Sequence, residues 1–211
     1  MDKMEPNDEW DEFDWEQVMR QSDLYAHKYM ALFKDYGEVS GADEHIMEQL
    51  KEFQLPGMDE DDFDFEIESE PFDPIEMNAP AYFYERDKSY LLLRQVSIGW
   101  CNIFSTLLLE HDREYGVKII FHLGRALAYY QGALSDGQYD LPASFISAGK
   151  RALQNLNLAL GLIKDLGSEN KRYLTITAAM MGHLRQVHDA MVDHLTKLRS
   201  EKKWNRLVKS G

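Results

Sequence analysis

Cysteine and proline are scarce in this chain of 211 residues, which contains one cysteine, Cys101, and six prolines. A single thiol cannot form an internal disulfide, so folding does not depend on an oxidising compartment. Cys101 lies in an apolar run, residues 98–109, and we expect it to be a buried and unreactive thiol. The low cysteine content therefore excludes a fold held together by internal disulfides.

Long hydrophobic runs are also missing. No stretch reaches the roughly 20 apolar residues that a membrane-spanning helix needs, and the nearest candidate, residues 117–134, contains Lys118, His122 and Arg125. The acidic residues 1–16 lack the apolar core of a signal peptide. These two absences predict a chain that stays outside the membrane and has a cytoplasmic location.

Positive charge is scarce in the first part of the chain. Residues 1–87 hold 27 acidic and 6 basic residues, a net charge of −21, whereas residues 88–211 hold 10 acidic and 17 basic residues, a net charge of +7. An acidic arm joined to a mildly basic body can fold back on that body or engage a basic protein partner. Nucleic-acid phosphates repel the whole chain unless the arm moves aside, so we do not expect nucleic acid as the partner.

Residues 1–58 are predicted to form an acidic helical arm. Apolar residues at helical spacing predict one helix at about residues 14–33 and a second at about residues 42–53. Ser40 and Gly41 favour a turn between the two helices.

Residues 59–86 are predicted to form an acidic linker that contains several prolines. Phe63, Phe65 and Ile67 alternate with acidic residues, as in an extended segment that lies in a groove. The same pattern is typical of a disordered acidic interaction segment. Both interpretations leave the segment available to a partner or to the rest of the chain.

Residues 87–211 are predicted to form an antiparallel four-helix bundle, which makes the chain an all-α protein. Apolar residues recur at intervals of three and four through four successive segments with short connections between them. The predicted helices cover about residues 88–110, 112–134, 142–166 and 168–199, with Asp87 and Ser168 as N-caps and with 135–137 and Gly167 as stops. Gly116, Gly124 and Gly132 are eight residues apart, which predicts a line of close contacts with a neighbouring helix.

The sequence offers few residues for chemistry. No motif of a zinc protease, a di-iron bundle, a P-loop or a nucleophile elbow is present, so we assign no catalytic residue and predict no cofactor. A metal site could form from His122, His188 and His194 if two helices bring them together. A small ligand pocket could form among polar residues on the bundle helices, namely Asn102, Arg125, Tyr129 and Asn155.

The functional expectation is a non-catalytic protein-interaction or regulatory module that uses its acidic, aromatic-rich arm. Aromatic residues within an acidic field are typical anchors for a protein partner, and the candidates are Trp10, Trp15, Phe63 and Phe65. One alternative is a bundle that binds a small molecule or a metal near His122, Arg125 and Tyr129, with or without catalysis. A further alternative is a bundle that binds nucleic acid once the arm is released. The sequence is also compatible with assembly into a homo-oligomer.

Overall fold

The first described helix, α1 (Glu12–Tyr36), pairs with a shorter helix, α2 (Ala42–Lys51). The computed structural model describes residues 11–36, 41–51, 83–138 and 142–209. The chain divides into two compact units, Met1–Ala79 and Pro80–Gly211, and this boundary falls inside the predicted linker. The predicted extended segment, Trp10, Phe63 and Phe65 lie outside the described residues.

The α1–α2 hairpin follows directly from local signals in the sequence. Asp11 accepts hydrogen bonds from the backbone N–H groups of Phe13 (2.7 Å) and Asp14 (3.2 Å), and Asp14 accepts one from the backbone N–H of Asp11 (3.0 Å). This reciprocal cap satisfies N–H groups that have no partner inside the helix. Gly41 has a φ of +80°, which confirms the predicted turn, because only glycine adopts this conformation without strain. The two predicted helices of the arm are therefore present.

The hairpin has a small core of its own. Leu32 from α1 and Ile46 and Leu50 from α2 are buried against each other. Four aromatic residues of α1 are partly buried around them, namely Tyr25, Tyr29, Phe33 and Tyr36. The apolar spacing of both helices thus supplies one buried face, as expected for an amphipathic pair.

Four long helices form the second unit: α3 (Lys88–Thr106), α4 (Arg113–Gln138), α5 (Pro142–Glu169) and α6 (Leu174–Lys209). Each helix packs against the next one in the chain, and α6 packs against α3, which closes the ring. The described residues contain helices and turns without a β-strand. The protein is thus all-α, with a C-terminal four-helix bundle.

Side-chain contacts between the helices show that neighbours are antiparallel. Trp100, near the end of α3, donates from Nε1 to the carbonyl oxygen of Gly116 near the start of α4 (3.1 Å). Tyr115, at the start of α4, donates from its hydroxyl to Glu169 Oε1 at the end of α5 (3.1 Å). The bundle core is built from apolar side chains that are fully buried, among them Leu93, Trp100, Ile119, Leu123, Ile146, Leu156, Ile163, Leu166, Leu184 and Met191.

The predicted N-cap of α3 is confirmed. Asp87 Oδ1 accepts the backbone N–H of Tyr90 at 2.8 Å and also the hydroxyl of Tyr130 at 3.2 Å. The cap therefore fastens the start of α3 to α4, in addition to satisfying a terminal N–H group.

Several predicted helix ends were wrong. The helix α3 ends at Thr106 rather than near residue 110, because the backbone N–H of Leu109 donates to the Tyr173 hydroxyl (3.1 Å) instead of continuing the helix. The helix α4 continues through residues 135–137 to Gln138, and α5 continues through Gly167 to Glu169. Ser168 lies inside α5, and Asn170 caps the short 3₁₀ turn Lys171–Tyr173 that precedes α6.

Two further expectations about the bundle also fail. Cys101 is exposed rather than buried, because it follows the core residue Trp100 by one position and so lies about 100° around the helix. Of the three aligned glycines, Gly116 alone is crowded, with its Cβ position against Phe104 and Leu108, whereas Gly124 and Gly132 face open space. Close packing therefore occurs at one point rather than along a line.

None of the helices in the described parts of the chain combines the length and hydropathy that a membrane span requires.

Candidate functional site

Polar side chains face each other across the contact between α4 and α5. His122 Nδ1 lies 3.1 Å from Asn155 Oδ1, and Asn155 Nδ2 donates to the carbonyl oxygen of Arg151 at 3.0 Å. Because the amide nitrogen of Asn155 is used by Arg151, its oxygen accepts from His122, which places the ring proton on Nδ1. The predicted pocket residue Asn155 is thus buried between the two helices and orients His122.

The other two α4 candidates lie one and two turns beyond His122. The Arg125 guanidinium lies over the Tyr129 ring, with 4.7 Å from its carbon Cζ to the ring centroid, and Nη2 donates to the Tyr129 hydroxyl. A guanidinium stacked on an aromatic ring in this way is held in one orientation by a cation–π contact. His122, Arg125 and Tyr129 are spaced i, i+3 and i+7, so they share one face of α4.

Three polar residues of α5 that were missed from the sequence belong to the same region. Ser144, Ser147 and Arg151 are buried, with exposed fractions of 0%, 1% and 8%. Together with Asn155 they are spaced i, i+3, i+7 and i+11, which places all four on one face of α5. We call the two facing sets the α4–α5 seam, which consists of His122, Arg125, Tyr129, Ser144, Ser147, Arg151 and Asn155.

Asn102, the remaining pocket candidate, is not part of the seam. It is exposed on α3, and its carbonyl oxygen accepts from the hydroxyls of Ser105 (3.0 Å) and Thr106 (2.6 Å). Asn102 follows the core residue Trp100 by two positions, which turns it about 200° away from the bundle interior. Arg125 and Tyr129 thus contact each other on α4, Asn155 contacts His122 between α4 and α5, and Asn102 lies apart from both pairs.

The three candidate metal ligands have separate surroundings. His122 bonds to Asn155, His188 Nδ1 lies 3.1 Å from Asp189 Oδ1 on its own helix, and the ring of His194 packs edge-on against Phe145. In the parts of the chain that the structure describes, no three or more histidine, cysteine, aspartate or glutamate side chains are grouped so that they could hold a metal ion. The metal hypothesis thus gains no support from these residues.

A buried polar cluster at one end of the bundle has a structural role. Tyr173 donates from its hydroxyl to Asp112 Oδ2 (2.9 Å) and accepts the backbone N–H of Leu109 (3.1 Å). His111 Nε2 approaches the same carboxylate oxygen at 3.4 Å. The Tyr173 hydroxyl therefore ties the α3–α4 connection to the α5–α6 connection.

Burial and hydrogen bonding raise the pKa of three tyrosines in the bundle, Tyr90, Tyr115 and Tyr130. Burial is the main cause at Tyr130, with a further contribution from the carboxylate of Asp87, and it raises the pKa of Tyr130 far above its usual value. At Tyr115 the hydrogen bond to Glu169 is the main cause of the raised pKa. The hydroxyls of Tyr130 and Tyr115 each donate a hydrogen bond to a carboxylate.

The arm carries its own exposed apolar residues. Phe13 is 82% exposed and Leu24 is 58% exposed, although both belong to α1. Trp15, the described member of the predicted partner-binding set, is partly buried. Phe13 lies among acidic residues in the first turn of α1, so the described arm does present an aromatic side chain within an acidic field.

Comparisons of the chain with protein-family models, with curated proteins and with solved structures found no match. The fold, the α4–α5 seam and the exposed apolar residues of α1 are therefore the basis for any functional inference.

Proposed function

We propose that this protein is a non-catalytic protein-interaction or regulatory module whose acidic arm docks onto a partner protein. The observation that carries the proposal is the exposure of Phe13 (82%) and Leu24 (58%) on one helix. Large apolar side chains at this degree of exposure are the usual anchors of helix-in-groove recognition.

The geometry of α1 places the two anchors together. Phe13 and Leu24 are eleven residues apart, which is three turns, so they lie on the same side of the helix about 16 Å from each other. The hairpin core uses other positions of α1, including Leu32 and the aromatic residues around it. The face with Phe13 and Leu24 is therefore not required for the hairpin to fold.

The charge around the anchors indicates the kind of partner. Asp11, Glu12 and Asp14 flank Phe13, and the arm as a whole is strongly acidic. A partner with an apolar groove and a rim of lysine or arginine fits this surface, because opposite potentials accelerate encounter and fix the orientation of docking. Raising the salt concentration should then slow association.

Site-specific photo-crosslinking in the source cells tests the proposal. A benzoylphenylalanine at position 13 should form an adduct with a defined partner, whereas the same residue at position 158, where Leu158 is exposed on α5, should not. Added full-length native protein should compete for the adduct. A competitor carrying Phe13→Ala and Leu24→Ala should compete at least about 30-fold less well, because the loss of even one hot-spot anchor costs about 2 kcal/mol or more.

Two results would count against this function. Equal adducts at positions 13 and 158 would indicate non-selective contact, and equal competition by the doubly substituted protein would show that the two anchors do not contribute. The nucleic-acid alternative stays a prediction that no described contact favours.

A further inference from the structure

We propose that the partner of the acidic arm is a second copy of this chain, and that the arm docks on the outward face of α3 in that copy. This inference rests on the proposed function, because the same two anchors, Phe13 and Leu24, make the contact. It adds the identity of the partner and the surface that receives the arm.

The outward side of α3 is apolar at two adjacent points. Leu91 is 36% exposed and Ile98 is 54% exposed, and their spacing of seven residues is two turns, so they lie on the same side of the helix. The opposite side of α3 carries the buried residues Leu93 and Trp100. Single exposed apolar residues are ordinary, but two on one side form a strip that a second helix can cover. We call Leu91, Arg94 and Ile98 the α3 face.

The charge of α3 is complementary to the charge of the arm. Residues 88–106 contain two basic residues, Lys88 and Arg94, and no acidic residue, whereas residues 1–87 carry a net charge of −21. Arg94 forms an ion pair with Glu85 at 3.3 Å, and both side chains are partly exposed. Exposed ion pairs contribute little to stability, so the carboxylates of an incoming arm can compete for Arg94. Two acidic arms repel each other, which disfavours pairing of arm with arm.

The spacing of the anchors matches the spacing of apolar groups along α3. Phe13 and Leu24 are about 16 Å apart along α1. If α1 lies parallel to α3 with Phe13 between Leu91 and Ile98, Leu24 reaches the end of α3, where Leu107 is 37% exposed. The same alignment places the acidic first turn of α1 beside the arginine of the α3 face. One register therefore satisfies both the apolar anchors and the charges.

A second copy is favoured as the partner because the contact can then occur twice. Each copy has one arm and one α3 face, so two copies can dock reciprocally and close a dimer with twofold symmetry. One helix laid on another buries less than the roughly 800 Å² per partner of a standard interface, whereas two linked contacts add their areas and strengthen each other. Phe13 and Leu24 are exposed in the chain, as are Leu91 and Ile98, so both surfaces are available to another molecule.

Sedimentation equilibrium of the full-length protein tests the proposal. We expect a reversible equilibrium between monomer and dimer at concentrations of about 1 to 100 μM, with a weaker dimer at higher salt concentration because opposite charges attract across the contact. The benzoylphenylalanine adduct at position 13 should have twice the mass of the chain. A native protein that is monomeric throughout, or an adduct with a different protein, would overturn this inference. The adduct with a different protein would leave the proposed function standing.

Two variants separate the arm from the α3 face. Phe13→Ala with Leu24→Ala removes the anchors and should raise the Kd of the dimer at least about 30-fold. Ile98→Glu places a negative charge where the acidic arm docks and should raise this Kd at least about 10-fold. Leu158 is 47% exposed on α5, so Leu158→Glu is the matched control and should leave the Kd unchanged. All four positions are exposed, so the variants should fold, which circular dichroism verifies.

Mixing the two variants distinguishes docking of the arm on the α3 face from pairing of like surfaces. A mixed pair keeps one intact contact, in which the arm of the Ile98→Glu copy docks on the α3 face of the copy without anchors. We expect the mixture to associate more tightly than either variant alone. Three results would overturn the proposal: no gain on mixing, native-like dimers of the variant without anchors, which would show that α3 pairs with itself, and equal weakening by Leu158→Glu and Ile98→Glu.

Discussion

Replacing Tyr173 with phenylalanine removes one hydroxyl from the buried cluster at the end of the bundle. That hydroxyl donates to Asp112 Oδ2 at 2.9 Å and accepts the backbone N–H of Leu109 at 3.1 Å. A hydrogen bond to a charged group contributes about 1.5–3 kcal/mol, and a neutral one contributes about 0.5–1.5 kcal/mol. Tyr173 and Asp112 are 2% and 7% exposed, so water replaces the hydroxyl poorly. We expect the free energy of unfolding to fall by about 2–3 kcal/mol, which is less than the simple sum because such terms are not additive.

Urea denaturation followed by circular dichroism measures this loss, with the midpoint moving and the slope unchanged. Tyr115→Phe is the matched control, because Tyr115 also donates to a carboxylate across two helices, Glu169, but at an exposed position. Exposed pairs contribute little, so Tyr115→Phe should destabilise far less than Tyr173→Phe. Equal losses in the two variants would refute the argument that burial makes the Tyr173 bonds strong.

Three further predictions concern other parts of the bundle. Gly167→Ala should lower the free energy of unfolding in urea denaturation by about 1–3 kcal/mol, because the added Cβ would contact Thr177 Oγ1. Gly124 faces open space, so Gly124→Ala should raise the free energy of unfolding by up to about 1 kcal/mol. A more stable Gly167→Ala than Gly124→Ala would contradict the packing described here. Cys101 should react with a thiol reagent in the folded protein at a rate close to that in the unfolded protein, because the thiol is exposed, and protection by folding would contradict this. Burial raises the pKa of Tyr130, so the folded chain holds the phenol proton more tightly than the unfolded chain does. The protonated phenol therefore contributes fully to the free energy of unfolding below about pH 10, and this contribution is lost as the pH rises further. Tyr130→Phe should therefore reduce the loss of stability measured between about pH 9 and pH 11, and an unchanged loss would contradict the assignment.

The fold class could be predicted from the sequence because local and long-range signals agree. The regularly spaced apolar residues that predict each bundle helix are also the residues that the bundle buries, for example Leu123, Leu156 and Leu184. The cap at Asp87 and the turn at Gly41 depend on one residue and its immediate neighbours, so they could be predicted locally.

The helix ends could not be predicted where a distant residue decides them. The helix α3 ends at Thr106 because the N–H of Leu109 bonds to Tyr173, which is 64 residues further along the chain. Gly167 resembles a stop signal in the sequence, but it is buried inside α5 at the point where Thr177 of α6 approaches. Its lack of a side chain is required for close packing, not for a left-handed turn.

The candidate site could be predicted in part. His122, Arg125, Tyr129 and Asn155 were selected as polar residues on predicted helices, and the register of α4 against α5 brings them to one seam. Ser144, Ser147 and Arg151 were missed because serine and arginine next to an apolar helix face are usually exposed. Their spacing of three and four residues, in line with Asn155, was the available signal.

The polar content of the seam has a cost in stability and a structural benefit. Burying a guanidinium and several hydroxyls costs free energy that well-packed apolar side chains would avoid. One structural benefit is register, since the bond between His122 and Asn155 is made in only one alignment of α4 and α5. Register accounts for the burial of His122 and Asn155 at this contact. Replacing His122 and Asn155 with leucine should accordingly preserve or raise the free energy of unfolding measured by urea denaturation, and a large loss would contradict this argument.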